Sequence, residues 1–239
     1  MIENSVLKST RCLYHSAIYD FLQTKNTEIL GELISSYHGS SLTPTNESWE
    51  EEIRILKRVL ETWKDEDAHI IFEYAIPRLG KRIDVVLLLK GIVFCLEFKV
   101  GKSEALQNDV EQVLDYALDL KNFHLYSGNK PIAPILIPTK YNKKIANIQP
   151  SVYNDGIANP IIASETTLKT VIERILESMQ CEFEHKQWGQ NWIISPYVPT
   201  PTIVEAARTL YENHSVEDIT KHEADKASTD TTINYLLKV

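Results

Sequence analysis

The chain of 239 residues is 43% hydrophobic and 24% charged, a composition that supports a packed core and excludes the disordered and collagen-like classes. Its 25 Lys and Arg against 33 Asp and Glu leave a formal charge of -8, which excludes the strongly basic signature of a bulk nucleic-acid coat. Three cysteines, Cys12, Cys95 and Cys181, are widely spaced and odd in number, which excludes a disulfide scaffold and any Cys-x-x-Cys zinc or redox motif. The longest apolar runs, 85–89 and 92–96, are far shorter than the roughly 20 residues that span a bilayer. The expected setting is a reducing cytoplasm, with no membrane partner.

In chain order, helices are expected at 16–23 and at 26–37, the second opened by an Asn26-Thr27-Glu28 capping signal. Over 46–64, Trp49, Ile53, Leu56, Leu60 and Trp63 recur at spacings of three and four, which places them on one face of a helix. Strand-like runs follow at 68–75, 83–89 and 92–99, and Lys90-Gly91 between the last two suits a tight hairpin turn. A second strong helix is expected at 103–121, with Leu106, Val110, Val113, Leu114 and Ala117 inward, then strands at 123–126 and 132–138. Beyond Pro138 the pattern weakens to a short strand at 161–163 and a helix at 165–179. Prolines 196, 199 and 201 deny both helix and central strand, so the expected division is a main domain over 1–195 and a connector with a helical, acidic tail over 196–239.

The chemistry concentrates between Gly80 and Tyr116. Asp84 interrupts the apolar strand Ile83–Leu89, and Glu97-Phe98-Lys99 ends the next one. Side chains alternate along a strand, so Glu97 and Lys99 share a face, and a hairpin turning at Lys90-Gly91 brings Asp84 opposite the Glu97 end. Two carboxylates offer hard oxygen ligands to Mg²⁺ or Mn²⁺, and the lysine can orient or deprotonate a water and stabilise charge on phosphorus. The competing reading is structural: Asp84 as a cap on backbone amides, and Glu97 with Lys99 as a strand-end ion pair of small value. Charges inside apolar strands are costly without a reason. On the following helix Gln112 and Tyr116 lie side by side at a spacing of four, which ordinary surface amphipathicity also produces.

Gly80-Lys-Arg-Ile-Asp84, Glu97-Phe-Lys99-Val-Gly101 and Gln112-x-x-x-Tyr116 together resemble the PD-(D/E)XK nuclease superfamily, particularly its RecB-like branch. Ile83 stands where the family name has proline. The resemblance implies an α/β fold with a restriction-endonuclease-like α-β-β-β-α-β core over about 46–139, a mixed central sheet flanked by helices, and extra N- and C-terminal helices. It implies that Asp84 and Glu97 bind Mg²⁺ or Mn²⁺, that Lys99 acts on the attacking water, and that Gln112 and Tyr116 position phosphate or metal-bound water. The family often adds a first-helix glutamate, and of Glu50, Glu51 and Glu52 the helical angle of Glu52 lies nearest the Trp49/Ile53/Leu56 face. A wider resemblance rests on Arg11-Cys-Leu-Tyr14, Phe72-Glu-Tyr-Ala-Ile-Pro-Arg78, the 115–124 segment and Pro199-Thr-Pro-Thr-Ile-Val-Glu-Ala206. These are similar to the N-terminal, nuclease-like region of bacterial Schlafen-group helicase/ATPase-like proteins, which implies a P-loop helicase/ATPase partner, in cis or trans, with 203–239 as connector. Gly101-Lys102-Ser103 imitates the end of a P-loop, but Leu96 stands where the leading glycine belongs, so it is not read as a nucleotide site.

Between Lys121 and Lys144 stand five lysines (121, 130, 140, 143, 144) and no acids, and Lys81, Arg82, Lys90 and Lys102 lie near the proposed site in sequence. Lys81, Arg82, Lys102, Lys121, Lys130 and Lys140 are the candidate phosphate-backbone contacts, against the alternative of solvated loop lysines. Trp188, Trp192 and Tyr197 either stack on bases or close the core. The seven histidines show no ligand spacing. The functional expectation is a metal-dependent nuclease acting on DNA, with RNA possible, in DNA processing or defence. The alternatives are a catalytically idle nuclease fold that binds nucleic acid or docks to an ATPase, and a structural ion-pair cluster in an interaction domain.

Overall fold

A computed structural model describes residues 11–37, 46–76, 80–142, 150–153, 155–179 and 188–198. The chain divides into two compact units, Met1–Tyr197 and Val198–Val239, and all of these residues except Val198 belong to the first. The expected helical tail beyond residue 198, Cys181, Lys143 and Lys144 lie outside the described residues.

Strand β1 (Tyr14–Ala17) leads into α1 (Ile18–Gln23) and α2 (Asn26–Ser36); α3 (Asn46–Leu60) ends in a 3-10 turn, Glu61–Trp63. Strands β2 (His69–Ile76), β3 (Lys81–Leu89) and β4 (Ile92–Lys99) follow, then α4 (Gln107–Phe123), a 3-10 turn Leu125–Ser127, β5 (Ile132–Pro138), β6 (Ile161–Ile162), α5 (Leu168–Ser178) and α6 (Trp188–Ile194). The fold is α/β. One six-stranded mixed sheet has its strands in sequence order, antiparallel from β1 to β4 and parallel from β4 to β6. Lys90 and Gly91 both adopt positive φ, 49° and 80°, the pair of left-handed residues that a two-residue turn needs to match strand twist. Among the described residues no helix is long and apolar enough to cross a membrane.

The sheet separates two apolar layers. On one face Ile70, Phe72, Val85, Leu87, Phe94 and Leu96 pack with residues of α1, α2, α3 and α5. On the other, Ile71, Val86, Leu88, Val93 and Cys95 pack with Val113, Tyr116, Ala117 and Leu120 of α4 and with Trp188, Trp192 and Ile193 of α6. The three- and four-residue spacing of α3 is what lets Trp49, Ile53, Leu56 and Leu60 reach one layer together.

Three expectations are corrected. Residues 14–17 form a strand, so the helix expected at 16–23 starts only at Ile18, because the edge of β2 supplies partners from Tyr14 opposite Phe72 to Ala17 opposite His69 and outweighs local preference. α2 is capped at Lys25 with no side-chain cap bond, so Asn26 is its first residue and not its cap. The strand expected at 123–126 is absent: α4 runs to Phe123, His124 N–H still reaches the Leu120 carbonyl, and a 3-10 turn completes the segment. No glycine or proline stops the helix before Gly128.

Candidate active site

The hairpin of β3 and β4 stays paired from the turn as far as Val85 opposite Leu96. Beyond that row β3 keeps only β2 as a partner, through Ile83, Arg82 and Lys81, while β4 keeps β5, with Glu97 opposite Leu136 and Lys99 opposite Pro138. The sheet forks, and Asp84 and Glu97, next in register after Val85 and Leu96, stand on its two prongs. Asp84 Oδ2 accepts the Phe98 backbone N–H at 2.8 Å, a bond that satisfies a strand amide where the ladder has ended. The amide-capping role and the site position are therefore the same geometry.

Alternation along β4 turns Glu97 and Lys99 toward α4. Glu97 Oε1 accepts Lys99 Nζ at 2.9 Å and Gln112 Nε2 at 2.8 Å. Lys99 Nζ also reaches Gln112 Oε1 at 3.3 Å and Asp109 Oδ1 at 3.3 Å. Gln112 Nε2 donates in addition to the Tyr116 hydroxyl at 2.6 Å, one helical turn along. From the other layer, Glu52 of α3 is 4% exposed, so the helical-angle choice among the three glutamates is the one that points inward. Glu51 instead binds Arg54 at the surface.

A fourth carboxylate, Glu73 on β2, was not singled out by sequence reasoning. It falls opposite Asp84, between the pairs Phe72 with Val85 and Tyr74 with Ile83. It is 3% exposed, its Oε1 accepts the indole N–H of Trp49 at 2.9 Å, and its carbonyl accepts Arg82 Nη1 at 2.8 Å. Its φ of 54° is a left-handed conformation that costs a residue with a Cβ about 1–3 kcal/mol. The signal available was the one that exposed Asp84: a single acid inside the apolar run Ile70–Ile76.

The four acids press on one another. Burial pushes Asp84 well above the ordinary carboxylate range, and the charges of Glu97, Glu52 and Glu73 add to it. Burial likewise drives Glu52 well up, reinforced by Glu73 and Glu97, and raises Glu73 against the Trp49 bond that opposes it. Glu97 is raised by burial even though Lys99 pulls it down. Burial alone would lower Lys99, but the charge and hydrogen bond of Glu97, with Asp109 and Asp84, leave it raised, so it is an ammonium at neutral pH. The Tyr116 phenol is pushed up, first by burial and then by Glu97.

Glu52 Oε2 and Glu97 Oε2 are buried with no hydrogen-bond partner. Orphaned hard oxygens on crowded carboxylates suit a small divalent cation, which takes one or two protein carboxylates and fills its remaining positions with water and phosphate. Among the described residues no group of three or more His, Cys, Asp or Glu side chains is arranged to hold a metal ion. The fit is thus to the Asp84 and Glu97 pair, with Glu52 beside it.

The candidate phosphate contacts divide. Lys81, Lys102 and Lys140 are exposed around the fork, and the Lys140 N–H bonds the Lys102 carbonyl at 2.9 Å. Arg82 is committed to the Glu73 carbonyl. Lys121 and Lys130 sit at the far end of β5: Lys121 Nζ is bound to the Lys130 carbonyl at 2.8 Å, and the Lys130 ammonium lies 6.0 Å from the Trp188 ring. From Leu136, the partner of Glu97, back to Ile132 is roughly 13 Å at a strand's rise. Lys90 is at the hairpin turn, at the other end of β3 from Asp84, paired with Glu66 at 2.9 Å. Trp188 and Trp192 are buried, which rules out the base-stacking alternative for both.

No family model, curated protein or solved structure matches this chain.

Proposed function

We propose that this chain is a divalent-metal-dependent nuclease of the PD-(D/E)XK kind, hydrolysing phosphodiester bonds of DNA. The observation that carries the reading is the fork: two carboxylates on diverging strands, one with an orphaned oxygen, beside a cationic lysine and a glutamine–tyrosine pair. The order α3, β2, β3, β4, α4, β5 agrees with a restriction-endonuclease-like core.

Asp84 and Glu97 would hold Mg²⁺ or Mn²⁺, with Glu52 alongside, and a bound cation would supply positive charge to the phosphate and acidify water. Asp84 is oriented by the Phe98 amide. Gln112 donates to Glu97 and accepts from Lys99, which fixes the spacing of that acid and base. Lys99, held as an ammonium, donates rather than abstracts a proton: it orients the attacking water or neutralises charge developing on a phosphate oxygen. Tyr116 fixes Gln112 through its hydroxyl. Lys81, Lys102 and Lys140 flank the fork where a phosphate backbone would run, and a P-loop helicase or ATPase is the proposed partner.

The test is cleavage of single-stranded DNA, double-stranded DNA and RNA in Mg²⁺ or Mn²⁺, against EDTA, with Lys99→Ala as control. Metal-dependent cleavage lost in Lys99→Ala supports the reading. Salt-sensitive DNA binding without cleavage, with or without a motor partner, would replace it by a catalytically idle docking module.

A further inference from the structure

The side of Glu73 that faces α3 has a role that neither Asp84 nor Glu97 accounts for. Along β2, Ile70 and Phe72 pack in the α3 layer, whereas Tyr74 and Ile76 pack in the α4 layer. Along β3, Val85, Leu87 and Leu89 pack in the α3 layer, whereas Ile83 packs in the α4 layer. Regular alternation would keep each of these sets on one face. Both strands turn over at the single row where Glu73 meets Asp84, and Glu73 carries the left-handed backbone that permits it. Arg82 clasps the carbonyl of the inverted residue. Trp49 clasps its side chain, and Trp49 stands three residues before Glu52, on the same face of α3.

We propose that Glu73 is a positioning residue: its carboxylate, bound by the Trp49 indole, locks α3 to the inverted row of β2 and so holds Glu52 beside the Asp84 and Glu97 pair. The inference rests on the metal-site reading above. Trp49 and Glu73 act on the cation through Glu52 and Asp84, and the Trp49 N–H is the only atom of that indole the mechanism needs.

The test uses the full chain and Mn²⁺ alone, titrated by calorimetry without nucleic acid, followed by cleavage of DNA. Trp49→Phe keeps a ring in the pocket and removes the donor; Glu73→Gln keeps the acceptor and removes the charge. Trp49→Phe is expected to weaken Mn²⁺ binding about tenfold, a loss of one positioning hydrogen bond, while Glu73→Gln stays within about threefold of the parent. The Trp49 indole N–H resonance should remain shifted downfield in Glu73→Gln. Where Trp49→Phe does not fold, Glu73→Leu removes the same bond from the other side and is expected to lose as much. Equal Mn²⁺ affinity in the parent and in the bond-deleting variant overturns the proposal, and so does a loss in Glu73→Gln as large as in Trp49→Phe. Mn²⁺ binding with this pattern but no cleavage sinks only the nuclease reading; no Mn²⁺ binding by the parent overturns both.

Discussion

Along α4, Gln112 joins one buried polar group and His124, roughly 18 Å further on at 1.5 Å per residue, joins another, and the two are built on opposite terms. His124 is 1% exposed. Its Nε2 meets the Trp192 carbonyl at 3.1 Å and its Nδ1 meets Ser127 Oγ at 2.8 Å, while Trp192 Nε1 donates to the same Ser127 oxygen at 2.8 Å. A carbonyl only accepts, so Nε2 carries the proton, Nδ1 accepts from the serine hydroxyl, and that oxygen accepts from the indole: the circuit closes. Around the fork the circuit stays open, with two orphaned oxygens and four acids that raise one another. Burial is common to both groups. Closure makes the first a structural network, and its lack is what the proposed cation would answer at the second, since unsatisfied buried polar groups are rare and perturbed carboxyls gather at functional sites.

The largest effect that sharpens the contrast is kinetic. Lys99→Ala should cost about two to four orders of magnitude in cleavage rate and leave Mn²⁺ binding nearly intact, whereas Asp84→Ala should weaken both. Ser127→Ala should change neither, provided the assays stay below its unfolding transition. A rate loss in Ser127→Ala comparable to that of Lys99→Ala would erase the distinction between the two groups.

Stability should move the other way. Ser127→Ala strands the Trp192 indole and His124 Nδ1 at once, and two buried groups left unpaired should lower stability by about 2–4 kcal/mol in urea unfolding. Glu52→Gln removes a desolvated charge from a crowd of like charges, so in EDTA it should leave the fold as stable or up to about 1 kcal/mol more stable, at the expense of Mn²⁺ affinity.

Acid and base separate the groups a third time. His124 is held down to about 4 by burial from an ordinary value of 6.5. A depressed folded pKa stabilises above the unfolded value, so its contribution, about 3 kcal/mol for that interval, is complete above 6.5 and drains away as pH falls toward 4. The fork acids are raised, so their contribution is present below the ordinary carboxylate range and is lost as pH rises through their folded values. Metal-free protein should therefore lose stability toward neutral pH, and Mn²⁺ should restore it. Thermal unfolding against pH in EDTA and in Mn²⁺ checks both signs; a Mn²⁺ benefit that does not grow with pH counts against the carboxylates as its ligands.

The open group was far more legible in the sequence than the closed one. Glu97 and Lys99 follow from strand alternation, Asp84 from a recognisable hairpin turn, Gln112 and Tyr116 from a four-residue helical step, and Glu52 from the family resemblance narrowed by helical angle; each geometric rule is local. Glu73 carried the same lone-acid signal as Asp84, but its meeting with Trp49, 24 residues away, is encoded by no local pattern. The His124 circuit depends on Trp192, 68 residues away, and no periodicity encodes that meeting. The strand at 14–17 escaped because its reason to be a strand is the edge of β2. In each case the missing information is tertiary.

The smallest effect concerns the lysines, whose sequence cluster the fold splits between the fork and the far end of β5. Lys81 and Lys140 are exposed beside the fork, so replacing either by Gln should flatten the dependence of log binding constant on log salt by about one unit or slightly less, with little change in stability. The Lys121 ammonium already serves the Lys130 carbonyl, and burial lowers its pKa. Lys121→Gln should therefore leave the salt slope unchanged and instead cost stability, about 1 kcal/mol for one hydrogen bond from a charged donor that is only partly buried. Filter binding of DNA between low and moderate salt reads the slope directly. If Lys121→Gln flattens it as much as Lys140→Gln does, the polynucleotide runs across the N-terminal end of β5, and the fork is not where its phosphates are held.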